Sequence, residues 1–375
     1  MVIRKRLIVI GDGASGISLA NKVRMLTDER EVEIVIIGNT PDHFLKEDGP
    51  QIVFGLKNYR KSVKKTKFLI NYGISYISDE AVAIDTANKN VSVKSGKAYD
   101  FDYLVIALGG RPFPEGVPGY VGEAMNFQDL AGTIDLRETI NKFNGGNVVI
   151  ANSPGTRIDK FLMYEFAFLF RELAAERGFV ANTKFSFVSE GGDSVTLAFD
   201  KELESLGFEI YRDFEVNGIS SKNKELQAVD GKAIKYDLLI LSPPFKPEKV
   251  LTASKISSKD GFVAVDPDRL NVLGQESIFA IGECTDLKVS KCLGASLNQA
   301  AYLAKIIAHR ISGSYYEARY DGSLVSSVLV GKQRSVTVFS NYSRPVLASY
   351  GSFTDYIVNM TSTETYFSAA IRGVL

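Results

Sequence analysis

Residues 6–16 of the chain read RLIVIGDGASG, and the features that follow them set the expected architecture. Arg6 to Ile10 is a short apolar run suited to a buried parallel strand, and it enters a G-x-G-x-x-G turn. A helical stretch follows from Ile17 to about Thr27, and residues 31–37 (EVEIVII) predict a second strand. Strand, glycine turn, helix and strand in this order are the context in which such a turn binds the pyrophosphate of a dinucleotide.

The residues of the turn have separate tasks. Gly11 permits a tight turn, Gly13 lets the pyrophosphate approach the backbone, and Gly16 lets the helix pack against the strand. Ala14 and Ser15 lie at the N-terminus of the helix, which presents free N–H groups and carries about half a positive charge. We therefore expect these five residues to bind the cofactor's phosphates.

The end of the second strand departs from the usual pattern. An acid about 20 residues past the glycines normally takes the ribose hydroxyls, but here the strand ends in Gly38-Asn39. The Asn39 amide accepts a hydrogen bond without charge assistance, which costs on the order of 1 kcal/mol. We expect a weaker ribose contact at Asn39 and not the loss of the site.

Composition excludes several classes of protein. The chain has 44 basic and 44 acidic side chains, so no basic excess favours nucleic-acid binding. No apolar run approaches the ~20 residues of a membrane span. The apolar run among the opening residues is too short for a signal peptide. We expect a cytoplasmic protein. Two distant histidines, His43 and His309, and two cysteines predict neither a metal site nor a disulfide framework.

Two later stretches repeat the pattern of an apolar strand running into glycine. Residues 101–110 read FDYLVIALGG, and residues 277–283 read SIFAIGE. Together with the first turn, in this order, they resemble the FAD-binding fold of the flavoprotein disulfide reductase superfamily. The predicted cofactor is therefore FAD.

The resemblance assigns further FAD contacts. It implies roles for Ala107 and Gly109 in the second motif and for Gly282 and Glu283 in the third. Glu283 stands in place of the usual aspartate that bonds the ribityl chain. Val82, in the segment AVAID, matches the strand whose backbone reads the adenine.

A second nucleotide site is expected to be degenerate. Residues 147–151 (NVVIA) match the first strand of the unit that usually binds NAD(P)H, but NSPGTR follows instead of G-x-G-x-x-G. Pro154 removes an N–H that a pyrophosphate would use. A helix from Phe161 to about Arg177 and strands at 184–188 and 236–241 complete the unit. NAD(P)H is therefore disfavoured as the routine donor.

Within the superfamily, segments 43–55 and 163–167 resemble the sulfide:quinone oxidoreductases and the flavoprotein of flavocytochrome c sulfide dehydrogenase. Those enzymes carry sulfur on cysteines beside the flavin. The matching positions, at Asn126 or Phe127, within 153–160 and around Ser326, hold no cysteine. A serine hydroxyl cannot form a persulfide, so we do not expect efficient sulfide oxidation.

Three candidate catalytic residues remain, each with an alternative. Cys284 and Cys292 form a C-x7-C pair that is either redox-active near the flavin or buried and structural. The helix beginning near Ala295 would lower the pKa of a thiol beside its N-terminus. Glu165 either relays a proton near the flavin, with a pKa raised by burial, or is a solvated helix acid. Lys46 and Pro50 are placed along the isoalloxazine by position alone.

The predicted fold class is α/β, with two interleaved Rossmann-like domains and a C-terminal α+β interface domain. The FAD domain takes 1–115 and 246–315, the second Rossmann-like domain 116–245, and the interface domain 316–375. Strands at 325–330, 335–339 and 346–349 and a final segment at 353–371 are expected in the last domain. Its end carries one basic residue, and peripheral membrane contact and a homodimer interface are equally weighted roles.

The predicted function is an FAD-dependent oxidoreductase related to sulfide:quinone oxidoreductases, with an altered small-molecule donor and acceptor. Quinone and sulfur species are among the options. Two alternatives remain open: a single-subunit NADH:quinone-type dehydrogenase, and a flavin-bound subunit of a redox complex without turnover.

Overall fold

The computed structural model describes residues 4–349 and 353–374. The helices in chain order are α1 (Ala14–Leu26), α2 (Gly49–Val53), α3 (Leu130–Lys142), α4 (Lys160–Glu176), α5 (Ser194–Ser205), α6 (Lys249–Ala253), α7 (Leu293–Ser312), α8 (Phe353–Met360) and α9 (Ser362–Thr365). The strands are β1 (Lys5–Ile10), β2 (Val32–Gly38), β3 (Asp42–Phe44), β4 (Val63–Lys65), β5 (Ile74–Ser78), β6 (Ala81–Asp85), β7 (Asn90–Val93), β8 (Ala98–Asp100), β9 (Tyr103–Ile106), β10 (Arg111–Pro112), β11 (Ala124–Met125), β12 (Gly146–Asn152), β13 (Thr183–Val188), β14 (Phe208–Tyr211), β15 (Val216–Ser220), β16 (Glu225–Ala228), β17 (Ala233–Lys235), β18 (Leu238–Ser242), β19 (Phe245–Lys246), β20 (Ile278–Ala280), β21 (Leu324–Gly331), β22 (Arg334–Asn341) and β23 (Arg344–Ser349).

Two five-stranded parallel sheets organise the chain. The first has the order β20-β9-β1-β2-β5, and the second has the order β11-β18-β12-β13-β14. The second sheet forms between β9 and β20 in sequence, so β20 returns to the first sheet after the second is complete. The side chains of Leu7 to Ile10 on β1 are fully buried on both faces of the first sheet, which explains the continuous run of apolar residues there. The predicted α/β class with two interleaved Rossmann-like units is confirmed.

Phenylalanine dominates the core of the second unit. The ring of Phe166 on α4 stacks on that of Phe127, with centroids 5.4 Å apart. The ring centroid of Phe54 lies 4.9 Å from that of Phe166. All three side chains are buried. At about 1.5–3 kcal/mol for each large apolar side chain removed from water, this cluster fixes α4 against both α2 and the second sheet.

The C-terminal part consists of an antiparallel sheet and a returning helical segment. The sheet β21-β22-β23 packs its first strand on α4. After α8 and α9 the chain crosses the first unit, where Asn21 Nδ2 donates to the carbonyl of Ile371 at 2.8 Å. Asn71 Nδ2 donates to the carbonyl of Arg372 at 3.0 Å, and Ile371 packs with Ile17 of α1. The last described residues therefore belong physically to the first unit.

No helix within 4–349 or 353–374 combines the length and apolar character needed to cross a membrane.

Candidate functional site

A cavity of about 1010 Å³ opens where β1, β2 and β9 end. The loops that follow these three strands line it, because the carboxyl ends of parallel strands meet at one edge of the sheet. Its volume is at the upper end of the roughly 300–1,000 Å³ typical of ligand pockets. The cavity is therefore large enough for an extended ligand.

In the glycine turn at one wall of the cavity, an added Cβ would clash with the backbone at Gly11 and Gly16 but not at Gly13. Gly11 has φ = 109°, and a Cβ there would lie 2.2 Å from the carbonyl oxygen of Ala107. A Cβ on Gly16 would lie 2.1 Å from the carbonyl oxygen of Gly11. A Cβ on Gly13 would meet no atom within 4 Å, although Gly13 lines the cavity. The space over Gly13 is free for a ligand, as a pyrophosphate cradle requires.

A carboxylate lies at the end of β2, although the residue that follows this strand is not an acid. Asn39 lines the cavity as predicted, but beside it lies the carboxylate of Asp12, the second residue of the turn. Asp12 Oδ2 accepts hydrogen bonds from Thr40 N at 2.8 Å and from Tyr76 Oη at 2.9 Å. Asp12 is 5% exposed and its side chain lies against Gly38. Sequence reasoning missed it because the residue between the first two glycines is unconstrained in the motif.

Glu283 and Lys46 form an ion pair at the wall of the cavity. Lys46 Nζ lies 3.5 Å from Glu283 Oε2, and both residues line the wall. The carboxylate raises the pKa of Lys46. Both residues were expected near the flavin, but their pairing was not predicted, since 237 positions separate them and they belong to different segments. The pair joins the loop before α2 to the turn after β20.

The structure brings most of the predicted cofactor residues together and leaves others outside. Those that line the cavity are Gly11, Gly13, Ala14, Ser15, Asn39, Val82, Ala107, Gly109, Glu283 and Cys292. Gly16, Pro50 and Gly282 lie behind its wall, where a Cβ on Gly282 would come within 2.7 Å of Ser15 Oγ. Glu165 and Cys284 also lie outside the lining.

The two cysteines have thiols with raised pKa values. Cys284 Sγ is fully buried and donates to the carbonyl oxygens of Ile106 and Ile281, at 3.4 and 3.2 Å. Burial raises the pKa of Cys284 to about 11. Cys292 caps α7, with Sγ accepting from Ala295 N at 3.3 Å, and burial raises its pKa well above the ordinary value. The expected lowering by the helix is wrong, because desolvation outweighs the helix field.

Glu165 is a buried carboxyl inside a polar network. It is 1% exposed, accepts from Gln51 Nε2 at 3.0 Å and from Leu329 N at 2.8 Å, and does not reach solvent. Burial raises the pKa of Glu165 to about 7. The prediction that burial raises the pKa of Glu165 is confirmed, and the alternative that Glu165 is a solvated helix acid is wrong. Glu165 joins α4 to α2 and β21, which is a structural position behind the cavity.

Replacement of Glu165 by glutamine is expected to remove a pH dependence of stability. The folded-state pKa of about 7 lies above the ordinary 4.5, so the neutral acid favours folding. That stability is complete below pH 4.5 and is lost as the pH rises through 7, by about 3 kcal/mol at most. Wild type should therefore lose several degrees of melting temperature between pH 5 and pH 8, relative to Glu165→Gln.

Calorimetric melts at several pH values measure this difference. Glu138→Gln is the control, because Glu138 is an exposed glutamate on α3. Parallel melting curves for wild type and Glu165→Gln across this range would contradict the buried neutral carboxyl.

Sequence reasoning also missed a carboxyl and a ring pair at the cavity. Glu47 lines the wall, and burial raises its pKa to about 7. His43 Nε2 and the hydroxyl of Tyr366 are 2.7 Å apart, and both residues line the cavity. Burial lowers the pKa of His43 to about 4, so the ring is neutral at pH 7. Glu47 is therefore a titratable carboxyl at the wall of the cavity, which is the role that the sequence predicted for Glu165.

The turn after β12 differs from the glycine turn after β1. Seven residues separate the end of β12 from the start of α4, and Asp159 caps α4 by accepting from Phe161 N at 3.1 Å. A buried carboxylate therefore occupies the helix N-terminus that would face a pyrophosphate. Asp159 Oδ2 also accepts from Ser326 Oγ at 2.6 Å. This hydrogen bond between a hydroxyl and a carboxylate therefore joins two of the regions where the resemblance implies redox cysteines.

Comparison with known proteins identifies the family. The model of the pyridine nucleotide-disulphide oxidoreductase family matches residues 5–305. The mitochondrial sulfide:quinone oxidoreductase of Dictyostelium discoideum is 24% identical over 389 residues, which span 98% of this chain and 83% of that protein.

Solved structures share the fold. The sulfide:quinone oxidoreductase of Aquifex aeolicus superposes with a TM-score of 0.85 at 19% identity, covering 98% of this chain and 92% of that one. A chain in the structure of the Tetrahymena thermophila mitochondrial ATP synthase superposes with a TM-score of 0.82 at 15% identity, covering 99% and 96%. This chain belongs to the pyridine nucleotide-disulphide oxidoreductase family, a family of flavoproteins, and is an oxidoreductase related to the sulfide:quinone oxidoreductases.

Proposed function

We propose that the chain binds one FAD in the cavity at the ends of β1, β2 and β9, and that it oxidises a small-molecule donor other than sulfide or NAD(P)H. The open space over Gly13, in a turn otherwise closed by backbone, carries the cofactor proposal. Bound FAD would accept two electrons from a donor and pass them to an acceptor. Quinone and sulfur species are the acceptors and donors that the relatives' names suggest.

The residues at the wall fit the parts of FAD. The turn from Gly11 to Ser15 would hold the pyrophosphate, and Asp12 would supply near Asn39 the carboxylate that β2 lacks. Val82 would lie against the adenine and Glu283 at the ribityl chain, with Lys46 balancing its charge. Glu47 would hold or release a proton at the wall near neutral pH.

An anaerobic flavin-reduction screen tests the donor. Purified protein loaded with FAD is mixed with NADH, NADPH, sulfide and thiols, and bleaching of the flavin absorbance is followed. Bound FAD that one of the thiols or another small donor reduces, and that quinone then reoxidises, supports the proposal. A colourless protein that takes up no added FAD would overturn it.

NADH and NADPH are expected to reduce the bound flavin slowly and without saturation. Pro154 lacks an N–H, and the Asp159 carboxylate fills the helix N-terminus and would repel a phosphate. Stopped-flow absorbance measures the rate against NADH concentration. Fast, saturable reduction would instead support the alternative of a single-subunit NADH:quinone-type dehydrogenase.

A flavin-bound subunit without turnover is the second candidate. The likeness to a chain of the Tetrahymena thermophila ATP synthase, over 96% of that chain, favours it. On this hypothesis the chain holds FAD as part of a larger membrane assembly, and peripheral membrane contact would come through its partners. FAD that stays oxidised with every donor in the screen, and copurification within a large complex, would distinguish this role from the first. A homodimer interface at residues 316–375 remains a prediction that sedimentation can test.

A further inference from the structure

The side chain of Arg157 joins the two Rossmann-like units beside the cofactor cavity. Arg157 lies in the loop between β12 and α4 of the second unit. Its Nη1 donates to the carbonyl oxygens of Glu283 and Thr285, at 3.0 and 2.6 Å. These two residues belong to the turn that follows β20 in the first unit. One guanidinium nitrogen of the second unit therefore holds this turn at two points.

An aromatic ring fixes the guanidinium of Arg157. Its central carbon lies over the ring of Phe262, 3.2 Å from the ring centroid, and Phe262 is buried. A planar guanidinium can lie on a ring face while its edge donates hydrogen bonds, and an ammonium group lacks this geometry. Packing on Phe262 therefore restricts the side chain and sets the position of its donors.

The loop that carries Arg157 is anchored to its own unit. The backbone N and the Oγ of Ser153 both donate to the carbonyl oxygen of Ser242, at the end of β18. Phe245 N donates to the carbonyl oxygen of Gly155 at 3.0 Å. Arg157 therefore extends from a fixed loop, at the place where the resemblance implies a phosphate-binding turn.

The turn that Arg157 holds carries an acid of the cofactor cavity. Glu283 lines the wall and pairs with Lys46. Lys291 Nζ also donates to the Thr285 oxygen at 3.2 Å, so Thr285 would keep a donor without Arg157. The main loss on removing Arg157 would therefore fall on the carbonyl of Glu283. A side chain at a binding site is only as well placed as the backbone that supports it.

We propose that Arg157 is a positioning residue for the cofactor site, which fixes the turn after β20 so that the Glu283 carboxylate meets the bound cofactor. Arg157 lies outside the lining of the cavity, so it acts through Glu283 and not by direct contact. The loop between β12 and α4 thereby serves the site of the first unit. The consequence for the cofactor rests on the proposed binding of FAD, whereas the hold on the turn can be measured without FAD.

Amide hydrogen exchange of the FAD-free chain tests the hold on the turn. Arg157→Met keeps a long side chain and removes its charge and its donors. Residues 281–287 should exchange about tenfold faster in this variant, because a charge-assisted hydrogen bond to the turn is lost. Arg177→Met is the matched control, since Arg177 Nη1 donates to the backbone carbonyls of Ile140 and Asn141, and it should leave this exchange unchanged. Equal exchange in wild type and Arg157→Met would overturn the proposal.

Fluorescence titration with FAD tests the consequence for the site. Arg157→Met should weaken FAD binding about tenfold, and the same change made in Glu283→Ala should alter the affinity by less than about twofold. A tenfold loss that persists in Glu283→Ala would show that Arg157 acts by another route. That result, or an unchanged affinity of Arg157→Met, would refute the positioning role.

Arg157→Lys keeps the test open if Arg157→Met does not fold. It retains a charge and a donor but not the planar fork, so FAD affinity should fall, and exchange of residues 281–287 should rise, by about two- to threefold each. Wild-type exchange rates in this variant, or a loss of affinity without faster exchange, would contradict the proposal. A wild-type chain that binds no FAD would remove the proposed function, and the exchange rates would still show whether Arg157 holds the turn.

Discussion

Gly13→Val is expected to yield a folded protein that no longer binds FAD. Gly13 has φ = −79° and ψ = −174°, a conformation open to any residue, and a Cβ there meets no protein atom within 4 Å. The added side chain would instead occupy the space assigned to the pyrophosphate. Flavin absorbance after purification, and fluorescence titration of the stripped protein with FAD, should show loss of binding by at least about a hundredfold, since all pyrophosphate contacts are disturbed together.

Gly16→Ala is the contrasting variant. Its Cβ would lie 2.1 Å from the Gly11 carbonyl oxygen, so the backbone of the first unit must shift. This change should lower the stability of the protein itself, which a melting curve of the FAD-free form detects. The cofactor site is wrongly placed if Gly13→Val binds FAD as tightly as wild type does.

Sulfide is expected not to drive quinone reduction above the uncatalysed rate. Sulfur has to be held after its electrons leave, which requires a polarisable thiolate. Asp159 and Ser326 hydrogen-bond to each other in the regions where the related enzymes are expected to carry cysteines. The thiols of Cys284 and Cys292 are buried and largely protonated at neutral pH. The assay is sulfide-dependent loss of quinone absorbance.

Cys284→Ser and Cys292→Ser are the informative controls for this assay. Each is expected to leave the sulfide rate at the same background as wild type, while a relative that carries the redox cysteines should turn over under identical conditions. Robust wild-type turnover that either substitution abolishes would show that the chain has moved its redox cysteines to these positions.

The sequence was sufficient for the features that depend on local periodicity and on glycine. Residues 6–16 predicted β1, the turn and α1 because a buried parallel strand reads as a continuous apolar run. Residues 147–151, the stretch beginning at Phe161 and the strands of the C-terminal sheet were placed within about three residues of their observed bounds. The three glycine-ended strands also indicated which loops would meet, since parallel strands end at one edge.

Contacts between distant parts of the chain were beyond sequence reasoning. The pairing of Lys46 with Glu283 and of His43 with Tyr366 depends on how the second unit and the final segment return to the first. The pKa of Cys292 was misjudged because the helix field is visible in a sequence and the depth of burial is not. Asp12 was overlooked because its role comes from the position of Thr40 and Tyr76 around it.

The return of Tyr366 to the cavity couples cofactor enclosure to synthesis of the chain. The wall begins at Gly11 and is complete only when Tyr366 has reached His43. A nascent chain can form β1, the glycine turn and α1 early, because their contacts are local. Closing the wall requires a contact between residues 323 positions apart, which is a slow event in folding. If the cavity binds FAD as proposed, its wall would stay open on this side until the final segment is in place, and the cofactor could enter from there.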